Sequence, residues 1–274
     1  MGDYGQEATS LETRTLTTPP STATEPDEIS VLVTGFGPFK TNLVNASYLI
    51  ASSLPPSFTF STTTTTTPDS APCRVSIHVH PSPIPVAYST VRTTLPVILE
   101  EYAKAHDGRR PDIIIHMGIA ATRNYYSVET QAHRDAYLMS DIKGRSGYED
   151  GERIWRELDL PTVLTAGRAS ASVPSAKKYL NAHPPDTDFL MAWQSFAGPD
   201  TDVRISNDAG RYLCEFIFYS SLSLAYQEGQ DRNVVFFHVP GSCTDEHIAA
   251  GKDAAIALIK ALVTSWVVSG SSPA

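Results

Sequence analysis

Val31-Leu-Val-Thr-Gly-Phe-Gly-Pro-Phe39 is the stretch on which the fold class turns. A short, unbroken apolar run that stops at a pair of glycines and a rigid proline reads as a strand buried on both faces, of the kind found in parallel sheets. Similar runs follow, giving strands at Ile29–Gly35, Val75–His80, Ile113–Met117, Val203–Ile205 and Val234–His238. Longer amphipathic stretches alternate with them, predicting helices at Asn45–Ser53, Ser89–Ala105, Ala209–Tyr226 and Thr244–Val267. In the last of these, Ile248, Ala255, Leu258, Ile259 and Leu262 paint one apolar stripe at helical spacing. Strand and helix in alternation predict one α/β domain, a mostly parallel sheet covered by helices. No fixed-period repeat is visible, which excludes solenoids and propellers.

Outside that pattern the composition changes. Residues 1–28 are rich in Thr, Ser, Glu and Pro and read as a disordered tail, because too little apolar surface is available to offset the entropy of ordering. The Thr-rich run Ser61–Thr67, closed by Pro68, reads as a low-complexity surface insertion of about residues 57–72, remote from any chemistry. The ordered domain is then 29–267, with 268–274 a second disordered tail.

Composition also limits function. The 274 residues carry a formal charge of -9 with scattered Lys and Arg, which disfavours nucleic acid as a partner. Three cysteines, Cys73, Cys214 and Cys243, form neither a CxxC pair nor a disulfide framework, so reduced thiols in the cytoplasm are expected. No signal peptide or run of ~18 apolar residues is present, so no membrane association is expected. Gly2 lacks the Ser or Thr that a myristoylation motif needs, Gln6 standing there instead.

Four segments can carry chemistry. The turn after Gly35 holds Phe36 and Phe39 at a strand's C-terminal end, where open α/β sheets bind ligands; a tight turn with core phenylalanines is the simpler alternative. A dinucleotide fingerprint fails there for want of the third glycine and the acidic residue. In Ile205-Ser-Asn-Asp-Ala-Gly-Arg-Tyr-Leu-Cys-Glu-Phe216, Asn207 or Asp208 is expected to cap a helix that carries Cys214 in its first two turns. Such a placement favours thiolate and supplies N–H groups to an oxyanion, although a lone Cys on an apolar helix is equally the signature of a small core residue. His238 closes a buried strand just before Pro240-Gly, the place for a catalytic base or for a capping histidine. Glu129, behind Tyr125-Tyr-Ser-Val, has neighbours that could shield it and let it orient an imidazole, although singly it also reads as a surface glutamate. His78 and His80 would share one strand face without a visible third metal ligand, and His116 reads as a satisfied core histidine. Cys243 lies in a loop with no helix N-terminus in front of it.

Taken together, Val33–Phe39 with Val44-Asn-Ala-Ser47, Ile84-Pro-Val, His116-Met-Gly, Glu129, Ser206–Cys214 and Phe237-His-Val-Pro240 resemble the pyroglutamyl-peptidase I family of cysteine peptidases, especially its animal members. The segments occur in the family's order from about residue 30 to 264, and the cysteine-bearing one is the most specific. The resemblance implies a three-layer α/β/α sandwich around a mixed, mostly parallel sheet. It also implies a Cys214–His238–Glu129 triad, removal of an N-terminal pyroglutamyl residue from peptides, and no cofactor or metal. Phe36, Phe39, Tyr212 and Leu213 fall where the family encloses the lactam ring. Lys40 and Tyr48 depart from the family's usual Gly and Trp, the stretch after Glu129 departs further, and Trp193–Thr201 reads as an insertion that could border the substrate cleft. Asp141 stands where some relatives carry an aspartate, with no role implied. The resemblance leaves the assembly open, monomer or small homo-oligomer. Two other readings remain: a silent relative that binds blocked N-termini, or another small-amide hydrolase.

Overall fold

The computed structural model describes residues 28–39, 42–61, 72–169 and 179–268. Apart from Glu28 and Val268, which belong to strands, the expected tails lie outside the described residues, as does most of the Thr-rich run. In chain order the elements are β1 (Glu28–Gly35), α1 (Ala46–Ser53), β2 (Ser57–Phe60), β3 (Cys73–Val79), α2 (Tyr88–Ala105), β4 (Ile113–Ile119), β5 (Tyr126–Glu129) and β6 (Gln131–His133). There follow α3 (Arg153–Glu157), β7 (Val163–Thr165), β8 (Tyr179–Leu180), α4 (Thr187–Ala197), β9 (Val203–Ser206), α5 (Leu213–Gln227), β10 (Val234–Val239), α6 (Asp245–Trp266) and β11 (Val267–Val268).

Seven strands form the central sheet in the order β2-β3-β1-β4-β10-β5-β9. β3, β1, β4 and β10 run parallel, β5 is antiparallel to β10, and β9 is parallel to β5. One core cluster joins alternate residues of the strands (Val31, Val33, Ile113, Ile115, Phe237) to α1, α4 and α6. The other joins Leu32, Phe36, Val234 and Phe236 to α2, α3 and α5. These two clusters make the three-layer α/β/α sandwich, with a mixed, mostly parallel sheet in the middle. Among the described residues no helix is long and apolar enough to cross a membrane.

Two sequence expectations need correction. Ser57–Phe60, assigned to the surface insertion, is an edge strand paired antiparallel with β3, and its two phenylalanines pack against the core while the residues between them face water. Only two aromatics alternate there, which is too short a pattern to read as a strand beside the Thr-rich run. Trp193 is not in a loop by the cleft: it lies in α4, fully buried, and its indole N–H donates to the Ala254 carbonyl at 3.2 Å on α6.

Candidate active site

The site is assembled on the sheet face that α2 and α5 cover. Residues two apart on a strand share a face, so Phe236 in that core brings His238 to the same side. β5 enters antiparallel beside β10, with Glu129 opposite Phe236 and Ser127 opposite His238. Glu129 is thus the diagonal neighbour of His238 on a shared face, within reach of a long side chain. The contact is made: His238 Nδ1 lies 2.7 Å from Glu129 Oε1, with both residues buried. An ionised carboxylate only accepts, so Nδ1 carries the proton and Nε2 is the nitrogen left to take another.

Arg123 fastens this pair. Its Nη1 donates to Glu129 Oε1 at 3.0 Å and to the Ser127 hydroxyl at 2.6 Å, and its Nη2 donates to the Asp208 carbonyl at 3.3 Å. Burial pushes the Glu129 carboxyl upward, but the His238 bond and charge, the Ser206 hydroxyl and Arg123 together outweigh it and hold the group below its ordinary value.

Cys214 arrives from the opposite layer as the second residue of α5. The loop before it turns at Gly210, whose φ of +75° favours glycine, and the helix begins from Tyr212 in an extended conformation without a side-chain cap. Asn207 and Asp208 therefore do not cap α5 as expected. Asp208 closes its own turn instead, accepting from the Gly210 N–H at 3.0 Å, because four residues of loop still separate it from the helix. The sulfur rests over Gly118 of β4, where an added Cβ would stand 2.8 Å from Sγ and 2.7 Å from the Phe236 ring. Gly118 of β4 is the ladder partner of His238 on β10, so the sulfur, which comes from α5, lies over the strand next to the one that carries the imidazole.

The thiol is neutral at rest. Burial, then the Glu129 charge, push Cys214 up to about 12, against which Arg123 and the residue's own backbone N–H work in the other direction. A thiol with that value is ionised to about one part in 10⁵ at pH 7. Placement near the helix N-terminus was expected to favour thiolate; burial of this partly buried residue works against it and raises the thiol instead.

Beside the sulfur lies a cavity of about 140 Å³ whose wall includes Phe36, Phe39, Ile119, Tyr212, Leu213 and Cys214. An apolar cavity of roughly 150 Å³ takes up one benzene, so this one is the size of a single small ring. Its wall is prefixed. Phe36 N–H donates to the Ser47 hydroxyl, Asn45 Nδ2 donates to the Gly37 carbonyl, and Gly37 N–H donates to the Ile84 carbonyl. Phe39 packs on Tyr212 with ring centroids 5.3 Å apart. Tyr212 in turn donates from its hydroxyl to the Ser140 carbonyl at 3.2 Å. Asp141 organises that neighbouring loop: it is buried and accepts from the N–H groups of Tyr88, Lys143 and Arg145.

All seven residues singled out in the sequence thus fall in one place. Glu129 and His238 are in contact, Cys214 sits one strand away, and Phe36, Phe39, Tyr212 and Leu213 line the cavity. Arg123 was missed, since an arginine in a loop carries no signal until the strands are paired, and Gly118, quoted within His116-Met-Gly, was given no role. His116 is only half satisfied: Nδ1 meets the Thr34 hydroxyl at 2.7 Å, while Nε2 is buried with no partner among the described residues. His78 packs edge-on against the Tyr102 and His106 rings, and among the described residues no His, Cys, Asp or Glu group has the grouping of a metal site.

Comparison with known proteins fits this geometry. No family model matches the chain. Pyroglutamyl-peptidase 1 of mouse is 28% identical over 216 residues, 77% of this chain and 78% of the mouse protein, and the human enzyme of the same name is 26% identical over the same shares. Pyrrolidone-carboxylate peptidase of Pyrococcus furiosus is 27% identical over 212 residues, 77% of this chain and 81% of its own. Among solved structures, a point mutant of the P. furiosus pyrrolidone carboxyl peptidase superposes with a TM-score of 0.60 at 22% identity, covering 86% of this chain and 99% of that one. The Thermococcus litoralis protein gives 0.56 at 20%, covering 86% and 96%. At those identities the structural likeness speaks for the fold.

Proposed function

We propose that this chain, a relative of the pyroglutamyl-peptidases, is a cysteine peptidase that removes an N-terminal pyroglutamyl residue from peptides. The observation that carries the reading is the 2.7 Å contact of His238 with Glu129, one strand from a cysteine sulfur that opens on a ring-sized apolar cavity.

In this reading the lactam ring enters between Phe36, Phe39 and Tyr212, and the carbonyl joining it to the next residue lies at Cys214 Sγ. Because the thiol is neutral at rest, the proton leaves as attack occurs: His238 Nε2 takes it while sulfur bonds to the carbonyl carbon. Glu129, ionised and fixed by Arg123, stabilises the imidazolium. The first helical N–H to find an acceptor within α5 is that of Phe216, bonded to the Tyr212 carbonyl, so the N–H groups ahead of it are available to the oxyanion. The imidazolium then gives its proton to the leaving amine, and a thioester remains on Cys214. Water, deprotonated by His238, attacks the thioester and frees pyroglutamate. No cofactor takes part. A free, charged N-terminal amine is rejected, because the cavity wall offers it no buried carboxylate. Three cysteines, none in a disulfide among the described residues, suit a reducing, cytoplasmic setting.

The test is release of a fluorescent amine from a pyroglutamyl amide, run beside Cys214→Ala and a prolyl amide. Release that vanishes in the variant and is absent with proline is expected. A folded, reduced protein that releases nothing would overturn the peptidase reading and leave a binder of blocked N-termini.

A further inference from the structure

Glu215 follows Cys214 directly, is fully buried, and takes no part in the steps above. Its Oε1 accepts from the His133 backbone N–H at 3.2 Å and lies 2.7 Å from His133 Nδ1, while Oε2 accepts from Arg211 Nη1 at 2.6 Å. Across the imidazole, His133 Nε2 is 3.4 Å from Gln131 Nε2, which also donates to the Asn207 carbonyl at 3.2 Å. An amide nitrogen only donates, so Nε2 of His133 is the acceptor and Nδ1 carries the proton shared with Glu215.

This network ties together the two halves of the site. His133 lies four residues beyond Glu129 on one run of chain, through β5 into β6, which pairs antiparallel with β7. Glu215 lies in the first turn of α5, and Asn207 and Arg211 belong to the loop that leads into that turn. In a capping box the glutamate at this third helical position turns back to the N-cap N–H. Here the Tyr212 N–H is bonded to the Gly210 carbonyl, Tyr212 provides no side-chain cap, and Glu215 reaches out to His133 of β6. A helix start without a cap of its own is therefore fixed by the run of chain that continues from Glu129 on β5 into β6.

We propose that His133 and Glu215 are positioning residues, a second acid–imidazole pair that holds the first turn of α5, with Cys214 Sγ and its N–H groups, at a fixed place relative to Glu129 and His238. The inference rests on Cys214 being the nucleophile. Without the His133 imidazole, Glu215 keeps Arg211 on Oε2 but only the His133 backbone N–H on Oε1, so a buried carboxylate is left short of a donor and the turn that bears the sulfur moves. A displacement of about 1 Å at a reacting group costs on the order of 10²-fold in rate.

The experiment compares the full chain with His133→Asn, His133→Gln and His133→Ala. Asparagine places an N–H where Nδ1 donates; glutamine, one carbon longer, overshoots it. The expected result is near-parental kcat in His133→Asn and a fall of tenfold to about 10²-fold in His133→Gln and His133→Ala, with KM little changed. The rate at which iodoacetamide alkylates Cys214, located by mass spectrometry, should follow the same order. Equal kcat and alkylation in folded Asn and Gln variants, or a loss confined to KM, would overturn the inference. If His133→Ala does not fold, the Asn and Gln pair still decides. Should the parent itself release no pyroglutamate, the peptidase reading fails, and alkylation alone tests the positioning.

Discussion

Gly118 and Cys214 share one small space: a Cβ added to the glycine would stand 2.8 Å from Sγ and 2.7 Å from the Phe236 ring. The ring is packed in the core and cannot yield freely, so the sulfur is the group that gives way. Gly118→Ala is expected to lower kcat about 10²-fold while costing about 1–3 kcal/mol of stability, the usual range for overpacking. A thermal melt beside kcat separates the two effects, and an active, normally stable Gly118→Ala protein would show that the sulfur does not work from this position.

The resting state of Cys214 gives a second expectation. With the thiol pushed up to about 12 by burial and Glu129, alkylation of the free protein by iodoacetamide should rise steadily from pH 6 to pH 10 without levelling near neutrality. A plateau near pH 7 would mean a preformed thiolate and a different first step. The same shift has a stability consequence. The folded state keeps this proton more tightly than the unfolded chain, so its contribution is complete below the ordinary thiol value of 9.0 and is lost as pH rises toward 12.

The sheet and the long helices were legible in the sequence because each sits where periodicity or a chain break marks it, whereas the seven candidate residues were named together only through the family resemblance. Val31–Gly35 and Val234–His238 are unbroken apolar runs, and α6 carries an apolar stripe over its whole length. What could not be read depended on pairing. β5 has only four residues and no alternation, yet it places Glu129 beside β10, which no local pattern announces. The start of α5 was misplaced by four residues because Asp208 looks like a cap and instead closes a turn onto Gly210. The protonation of Cys214 was misjudged because desolvation and the Glu129 charge, both products of tertiary packing, act against the helix terminus.

Arg123 is expected to set the acid limb of the activity. It helps hold Glu129 below its ordinary value, so Arg123→Met should raise the Glu129 pKa and move the acid limb of kcat/KM to higher pH. The sign follows from the carboxylate being the active form: with less positive charge nearby, it protonates at higher pH. Loss of the bond should also lower kcat about tenfold at neutral pH, less than the roughly 10²–10⁴-fold attributed to a positioned proton carrier, because Arg123 acts only through Glu129. A pH–rate profile of the variant that overlays the parent's would remove Arg123 from the site.

His116 offers a test of acid stability that leaves the chemistry aside. It is fully buried on β4, its Nδ1 meets the Thr34 hydroxyl, and burial alone lowers its pKa to about 3. The unfolded chain takes up a proton at this residue near its ordinary 6.5, whereas the folded protein refuses it until about pH 3. Below pH 6.5 the unfolded state therefore binds more protons, and stability falls as pH drops through that window. Replacing the pair together, Thr34→Val with His116→Leu, removes the titrating group without stranding its partner. The double variant should show a flatter Tm between pH 6.5 and pH 4 than the parent. Identical slopes would mean that His116 already shares its proton with a group in the folded core.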